Sequence, residues 1–346
     1  MVKKYTYTPD IPEVFRCRVP LPETHQAFVM NGILREDVEN EEGLTIVSNG
    51  DSGFVLSVAP GAHIPKNTQI IGVRDASNTE PVSFVNELNF GQDSESSILL
   101  CTHTLSMDEF NTESGLNIEM ESNARVNIVV MQNEHNKSSH KVNFNIIQKS
   151  GSYLRMNIVT LHGGAIENTI NAKLTEENAK CELNGIYLVD GKQEIRTSIN
   201  MQHLVPRCHS SQLFKGILDN ESKAFFSGKI IVSKDAQKTE AYQANHNLLL
   251  SRQAKVYAQP QLEIYADDVK CSHGATSGRL DDNALFYMRS RGIGAKEAKL
   301  LQQIAFVYDV LEKINNEQLQ KRLQDLVESR LRGEFSHCSN CSLNCC

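Results

Sequence analysis

The feature that most limits what this chain can become is an alternation of apolar and polar residues with period two. It recurs in short runs from about Thr45 to about Ala266. Leu116, Ile118 and Met120 share one side, as do Val126, Ile128 and Val130, then Val142, Phe144 and Ile146, then Leu154, Met156 and Ile158. Ile170, Ala172 and Leu174, and later Ile195, Thr197, Ile199 and Met201, repeat the pattern. Successive side chains of a strand point to opposite faces, so each run reads as a half-buried strand of about five to eight residues. The breaks are rich in Asn, Ser, Gly, Lys and Glu, and no 3.6-residue period survives between them.

A weak internal repeat refines this. Lys180–Val189 matches Lys223–Val232, with Lys180 opposite Lys223, Gly185 opposite Gly228 and Val189 opposite Val232, an offset of 43. Repeats on that scale mark solenoids, propellers or arrays. There is no Trp, hence no Trp-Asp blade signature. Two solenoid coils of roughly 20 residues each fit the offset, against chance similarity of amphipathic strands. The same offset sets His203 opposite His246, which reads as a polar ladder on the solenoid surface.

The pattern changes near Asp281. Asp281-Asp282 can cap a helix carrying Ala284, Leu285 and Met288, which Gly292 and Gly294 end. A second helix starts near Ala295 with a stripe of Ala298, Leu301, Ala305, Tyr308 and Leu311. A third, from about Glu317, carries Leu319, Leu323, Leu326, Val327 and Leu331. The expected division is an extended lead-in at 1–40, bearing Pro9, Pro12, Pro20 and Pro22, a β core at 41–270, a helical domain at 271–333 and a cysteine-rich tail at 334–346.

Composition excludes several classes. A 40% hydrophobic share supports a real core. With 35 Lys+Arg against 42 Asp+Glu the net charge is −7, and no basic stripe is present, so nucleic acid is not the expected partner. No run approaches the ~20 apolar residues of a membrane span. The start, MVKKYTYTPDIPEVF, lacks the apolar stretch of a secretory signal. Nine cysteines, with Cys17, Cys101, Cys181, Cys208 and Cys271 scattered, do not make a disulfide framework. A cytoplasmic protein with free or metal-bound thiols is expected.

No phosphate loop, nucleophile elbow, zincin helix or dinucleotide fingerprint is present. Asp267-Asp268 reads either as the carboxylate pair of a β-helix carbohydrate-active enzyme or as solvated loop residues. Cys271-Ser-His-Gly-Ala-Thr-Ser-Gly278 sets a thiol and an imidazole two residues apart, both ligands for iron or zinc. Two ligands alone do not close a metal site, and a turn with a buried Cys and a surface His is the bland alternative. The tail His337-Cys-Ser-Asn-Cys-Ser-Leu-Asn-Cys-Cys346 offers Cys338 and Cys341 at chelating spacing, with Cys345 and Cys346 to complete a site for iron, zinc or a cluster; the alternative is a redox-sensitive tail with no site.

The stretch Ala266–Ile293, from Ala266-Asp-Asp-Val-Lys-Cys-Ser-His-Gly-Ala-Thr-Ser-Gly-Arg-Leu-Asp-Asp through Asn-Ala-Leu-Phe-Tyr-Met-Arg-Ser-Arg-Gly-Ile293, resembles the C-terminal signature of the SufB/SufD family, scaffold subunits of the SUF iron–sulfur cluster assembly system. SufB-type chains read Glu-His-Glu-Ala-Thr there; Ser272-His273-Gly274 is similar to the SufD branch. Fainter resemblance begins near Phe28.

The resemblance implies a mainly β chain, a right-handed parallel β-helix with a small C-terminal helical domain. It implies a non-catalytic, cytoplasmic scaffold in complex with a SufB-like paralogue and the ABC-type ATPase SufC, which would contact the helical domain. His273 would handle iron or an iron–sulfur cluster, held transiently and shared with the SufB-like partner. A homodimer is a form open to the isolated chain. The N-terminal helical domain common in SufD-type chains looks absent. Outside this family, an exported-type carbohydrate-active enzyme and a structural β-solenoid binding module remain the competing readings.

Overall fold

The computed structural model describes residues 24–35, 40–104 and 108–333. Among the described residues, nineteen strands, from β1 (His25–Met30) to β19 (Lys270–Gly278), precede three helices. They form a ten-stranded and a nine-stranded sheet that the chain visits in turn. From β4 (Phe54–Val58) onward each strand pairs in parallel with the next but one. The result is a two-sheet parallel β-solenoid, in which a single coil contributes one strand to each sheet. Turns between strands use left-handed backbone at Asn123 (φ 60°), Asn178 (φ 64°) and Gly151 (φ 64°), a conformation that Asn and Gly accept most readily.

The coil length corrects the repeat read from sequence. Lys180 of β13 (Lys180–Val189) lies opposite His209 of β15 (His209–Leu218), and His209 opposite Glu240 of β17 (Glu240–Leu249). A coil is therefore 29 or 31 residues. The 43-residue offset joins β13 in one sheet to β16 (Lys223–Val232) in the other, a coil and a half apart. His203 and His246 are consequently not stacked. His203 is buried at the end of β14 (Glu194–His203), with Nε2 2.8 Å from Ser210 Oγ. His246 lies on the outer side of β17, its Nδ1 2.7 Å from Thr276 Oγ1.

Two apolar layers hold the molecule together. One fills the solenoid, built from inward positions such as Leu88, Ile118, Phe144, Met156, Ile170 and Leu183. The other lies outside the ten-stranded sheet. There Val129, Val159, Ile186, Leu188 and Ile217 meet Val307, Val310 and Leu311 of α2 (Ala295–Leu311) and Leu319, Leu323 and Leu326 of α3 (Glu317–Arg332). Strands under the helices are covered on both faces. This is why β11 (Tyr153–His162) ends in the unbroken buried run Asn157–His162, while strands of the other sheet alternate.

The helices start and stop where the caps specify. The Asp281 carboxylate accepts from the backbone N–H groups of Asn283 and Ala284 at the start of α1 (Asp282–Ser290), and Asn316 caps α3. Two of the five residues expected on the α2 stripe are buried. Ala298 and Leu311 are buried, but Leu300, Val307 and Val310 make the rest of the contact, while Leu301 and Tyr308 face solvent. Part of the expected lead-in is also solenoid, because β1 pairs in parallel with β5 (Thr68–Arg74). Residues 271–278, read as the junction to the helices, are strand, and the helices begin at Asp282.

The two ends of the solenoid differ. Antiparallel pairs close the first coils, β1 with β2 (Ile33–Leu34) and β3 (Leu44–Ser48) with β4. At the other end β18 (Lys255–Ile264) and β19 are edge strands that nothing in the described chain covers. Val256, Ala258, Leu262 and Cys271 pack on the core yet stay half-buried, and Tyr257, Ile264 and Tyr265 are exposed.

Candidate functional site

His273 sits on this open end. Strand register decides its direction. Ala241, Gln243, Asn245 and Asn247 of β17 face the interior, and they pair with Cys271, His273, Ala275 and Ser277 of β19. His273 is thus an inward-facing residue of the last coil, exposed because no further coil lies over it. Cys271 faces the same way two residues earlier, ~7 Å along the strand. Burial raises the pKa of the Cys271 thiol, partly offset by a backbone hydrogen bond at Ala241, so at neutral pH it is a thiol rather than a thiolate.

Behind His273 the interior changes character. One inward column runs Ile98, Ile128, Met156, Leu183, Gln212, Gln243, His273 across seven strands. The first four are apolar and the last three polar. Gln212 and Gln243 are 2% and 3% exposed, and Gln243 Nε2 donates to Gln212 Oε1 at 2.6 Å. Beside them Tyr187 donates its hydroxyl to Asn247, Asn245 Nδ2 donates to Tyr187 at 3.1 Å, and Asn247 Nδ2 donates to Asn245 Oδ1 at 2.7 Å. Burial pushes the Tyr187 hydroxyl up to about 12, against the opposing amide hydrogen bonds, so it remains protonated. Sequence reading missed this polar end. An alternating strand pattern marks only which residues face inward, and Gln243 and Asn245 stand out only once register aligns them with His273.

Other ionisable groups lie elsewhere. Ser114 Oγ is 2.8 Å from His140 Nε2, and His140 Nδ1 is 2.5 Å from Glu134 Oε1, all three buried. Burial would raise the Glu134 pKa, but the charge and hydrogen bond of His140 and the nearby Arg74 outweigh it and hold the carboxyl below its usual range. Asp267 and Asp268 are exposed in the turn between β18 and β19. Cys101, Cys181 and Cys208 are free and buried. Cys338, Cys341, Cys345 and Cys346 lie outside the described residues. Among the described residues no cluster of three or more His, Cys, Asp or Glu side chains is arranged to hold a metal ion, and no helix is long and apolar enough to cross a membrane.

Fold and site together describe a β-solenoid with one closed end, one open end and a helical unit on its flank. Residues 79–306 match the family described as SUF system FeS cluster assembly, SufBD core domain, and the chain belongs to that family. It is similar to the iron–sulfur cluster assembly protein SufD of Escherichia coli, 31% identical over 71% of this chain and 58% of that protein. It is also similar to an iron–sulfur cluster assembly SufBD family protein of Synechocystis, 36% identical over 62% of this chain and 47% of that one. A chloroplastic protein of Arabidopsis thaliana is 30% identical over 64% of this chain and 46% of its own length. The matched stretch spans about half the length of these relatives.

Proposed function

We propose that this chain is a non-catalytic scaffold subunit of a SUF complex, mated through its open end to a SufB-like paralogue and worked by a SufC-type ATPase. The observation that carries this reading is the uncovered last coil with His273 on its inward column. A solenoid that ends without a cap leaves apolar interior and unpaired strand edges in water, and a second β-solenoid is the partner that covers both. Gly274 and Gly278 support the same reading. A side chain at either would meet nothing in this chain within 4 Å, so their smallness is not required by the chain's own packing.

The helical unit supports the second contact. α1 buries none of its residues, and Phe286 is 75% exposed. Phe286 and Tyr287 on α1, and Leu301 and Tyr308 on α2, are large apolar side chains left exposed, as surface that another protein covers would be. Only three residues separate the end of β19 from the start of α1. A pull on it by a closing ATPase pair would pass straight to the strand bearing His273 and part the mated ends. His273 would then meet iron or a nascent cluster as substrate, supplying one neutral imidazole and leaving the remaining ligands to the partner. The tail cysteines Cys338, Cys341, Cys345 and Cys346 enter the proposal as a capture segment for iron, zinc or a cluster.

The test is purification of His273→Ala from its own host without oxygen. The expected result is intact folding and co-purification of a paralogous β-solenoid and an ABC ATPase, with cluster or iron content lowered. Full cluster content in the variant removes His273 from the chemistry; absence of both partners from the unmodified protein refutes the scaffold reading.

A further inference from the structure

Ser114, His140 and Glu134 form a chain of contacts whose order has a chemical meaning. Ser114 lies on β8 (Asn111–Met120) and His140 on β10 (Ser139–Gln148), both facing the solenoid interior, and Glu134 follows the end of β9 (Arg125–Asn133). Ser114 Oγ is 2.8 Å from His140 Nε2, and His140 Nδ1 is 2.5 Å from Glu134 Oε1. Burial alone would raise the Glu134 pKa, but His140, Thr102 and Arg74 outweigh it, so the carboxyl is ionised at neutral pH. An ionised carboxylate can only accept, so His140 Nδ1 carries the proton. In the neutral imidazole Nε2 is then bare, and the Ser114 hydroxyl donates to it. Hydroxyl, base and orienting carboxylate stand in the relation that activates a serine, which is recognised by geometry and not by place in the chain.

There is room beside the hydroxyl for a reactant. Ser114 and His140 border a cavity of about 70 Å³, walled by Val29, Phe54, Leu116 and Phe144. A cavity of roughly 150 Å³ admits benzene. Half of that holds about three non-hydrogen atoms, the size of an acetyl group. The wall at this corner is not closed. Phe84 of β6 (Val82–Phe90) pairs with Ser114 on one side, but on the other side β4 pairs only with residues 87–90 of β6. The inward residues Val82, Phe84 and Asn86 are accordingly half-buried, whereas Leu88 and Phe90 further along are sealed. Among the described residues this corner opens the interior to solvent next to the serine.

We infer that Ser114 is a nucleophile for a small acyl group, with His140 as its base and Glu134 as the residue that positions the base. The step is acyl transfer from an ester or thioester. Ser114 Oγ attacks the carbonyl carbon while its proton passes to His140 Nε2. The bond formed is Oγ–C, the bond broken joins that carbon to the leaving oxygen or sulfur, and His140 hands the proton to the leaving group. No oxidant or reductant takes part. β8 is paired on both sides, so its backbone N–H groups are engaged in the ladder and none is spare for the oxyanion. Arg74 borders an adjoining cavity with His140 but adds only its charge. Its N–H groups are taken by the side chains of Asn31 and Thr112 and the carbonyls of Asn111, Asn78 and Glu80. Losing an oxyanion donor costs about 10²–10³ in rate, so the reaction is slow and the acyl-serine accumulates. The serine lies five strands in from the open edge at β18, so this site is separate from the scaffold reading and does not rest on it.

The test uses the full chain and methanesulfonyl fluoride, which is close to an acetyl group in size and exchanges its fluoride for the serine oxygen as HF leaves. Intact mass and peptide mapping should show a single equivalent on Ser114, absent from Ser114→Ala. His140→Ala and Glu134→Gln should each slow the labelling roughly a hundredfold. The amide in Glu134→Gln donates to Nδ1 and turns the ring proton onto Nε2, which disarms the base with little change of packing. Phenylmethanesulfonyl fluoride, too large for the cavity, should leave Ser114 unlabelled. With 4-nitrophenyl acetate, the unmodified chain should release a burst of nitrophenolate that Ser114→Ala lacks. A chain that takes no label at Ser114, or takes it at the same rate in Glu134→Gln and His140→Ala, overturns the inference. Equal labelling by the phenyl reagent overturns the restriction to small acyl groups. Should either base variant lose its cooperative melt, the other is read in its place, since one removes the base and the other only its orientation.

Discussion

Replacing Arg330 by methionine should release α3 from the solenoid while leaving the solenoid itself unchanged. Arg330 is 5% exposed, on the face of α3 that meets the ten-stranded sheet. Its Nε donates to Leu161 O at 2.9 Å, and its two terminal nitrogens reach the two oxygens of Asp190 at 3.0 and 2.9 Å. Methionine keeps most of the bulk and removes all three bonds. Breaking one side of a buried pair costs about 3–5 kcal/mol. The Asp190 side chain is 30% exposed and water can reach it, so the lower end, about 3 kcal/mol, applies. At 1.4 kcal/mol per factor of ten this is roughly a hundredfold. Hydrogen exchange read by mass spectrometry should show amides of α3 about a hundredfold less protected, with those of β11 and β13 unchanged. The effect carries a pH signature. Burial would raise the Asp190 pKa, but the hydrogen bonds and charge of Arg330 outweigh it and the value is lowered. The clamp is therefore complete above the ordinary carboxylate range and is lost as pH falls through the lowered folded value. Protection of α3 in the unmodified chain should drop in acid below roughly pH 4, and Arg330→Met should lack that limb. Equal loss across solenoid and helices, or none in α3, would refute the reasoning.

Acid stability offers a second test. Burial, helped by the charge of His209, lowers the His203 pKa to about 4. The unfolded chain then binds the extra proton first, so stability is lost as pH falls from about 6.5 toward 4. His203→Gln should flatten that slope in urea titrations, though not abolish it, since burial beside Arg330 lowers His162 as well, to about 3. An unchanged slope would mean that His203 takes up its proton as readily in the folded chain as in the unfolded one. The tail is tested by removing residues 338–346. Iron and zinc content of the anaerobically purified chain should fall, and unchanged metal content together with an unchanged cluster-assembly rate would leave those cysteines without a metal role.

The strands were legible because a sheet with one wet face imposes alternation, and Val142–Ile146 or Ile170–Leu174 cannot satisfy that pattern any other way. The coil length was not. Both sheets share one interior, so strands half a coil apart carry the same pattern, and Lys180–Val189 resembles Lys223–Val232 without being its equivalent. The helices were legible from Asp281, Gly292 and Gly294. The buried face of α2 was not, because the helix has two apolar faces, and only packing tells Val307 and Val310 from Leu301 and Tyr308. His273 could be singled out from a local motif. The Gln212–Gln243 column behind it is assembled from strands about thirty residues apart and exists only in register.

The open end has a consequence for how much of this protein a cell can keep. Coils of a solenoid touch only their neighbours, so stability is a sum of local terms. The coil of β18 and β19 has one neighbour where every interior coil has two. If the chain is a subunit as proposed, a copy made in excess would fray there first, presenting loose strand and half-buried aliphatic surface to proteases. A mate of the kind proposed would remove that vulnerability at once. Turnover of unmated copies would then match subunit numbers after synthesis, with the weakest coil acting as the gauge of whether assembly has happened.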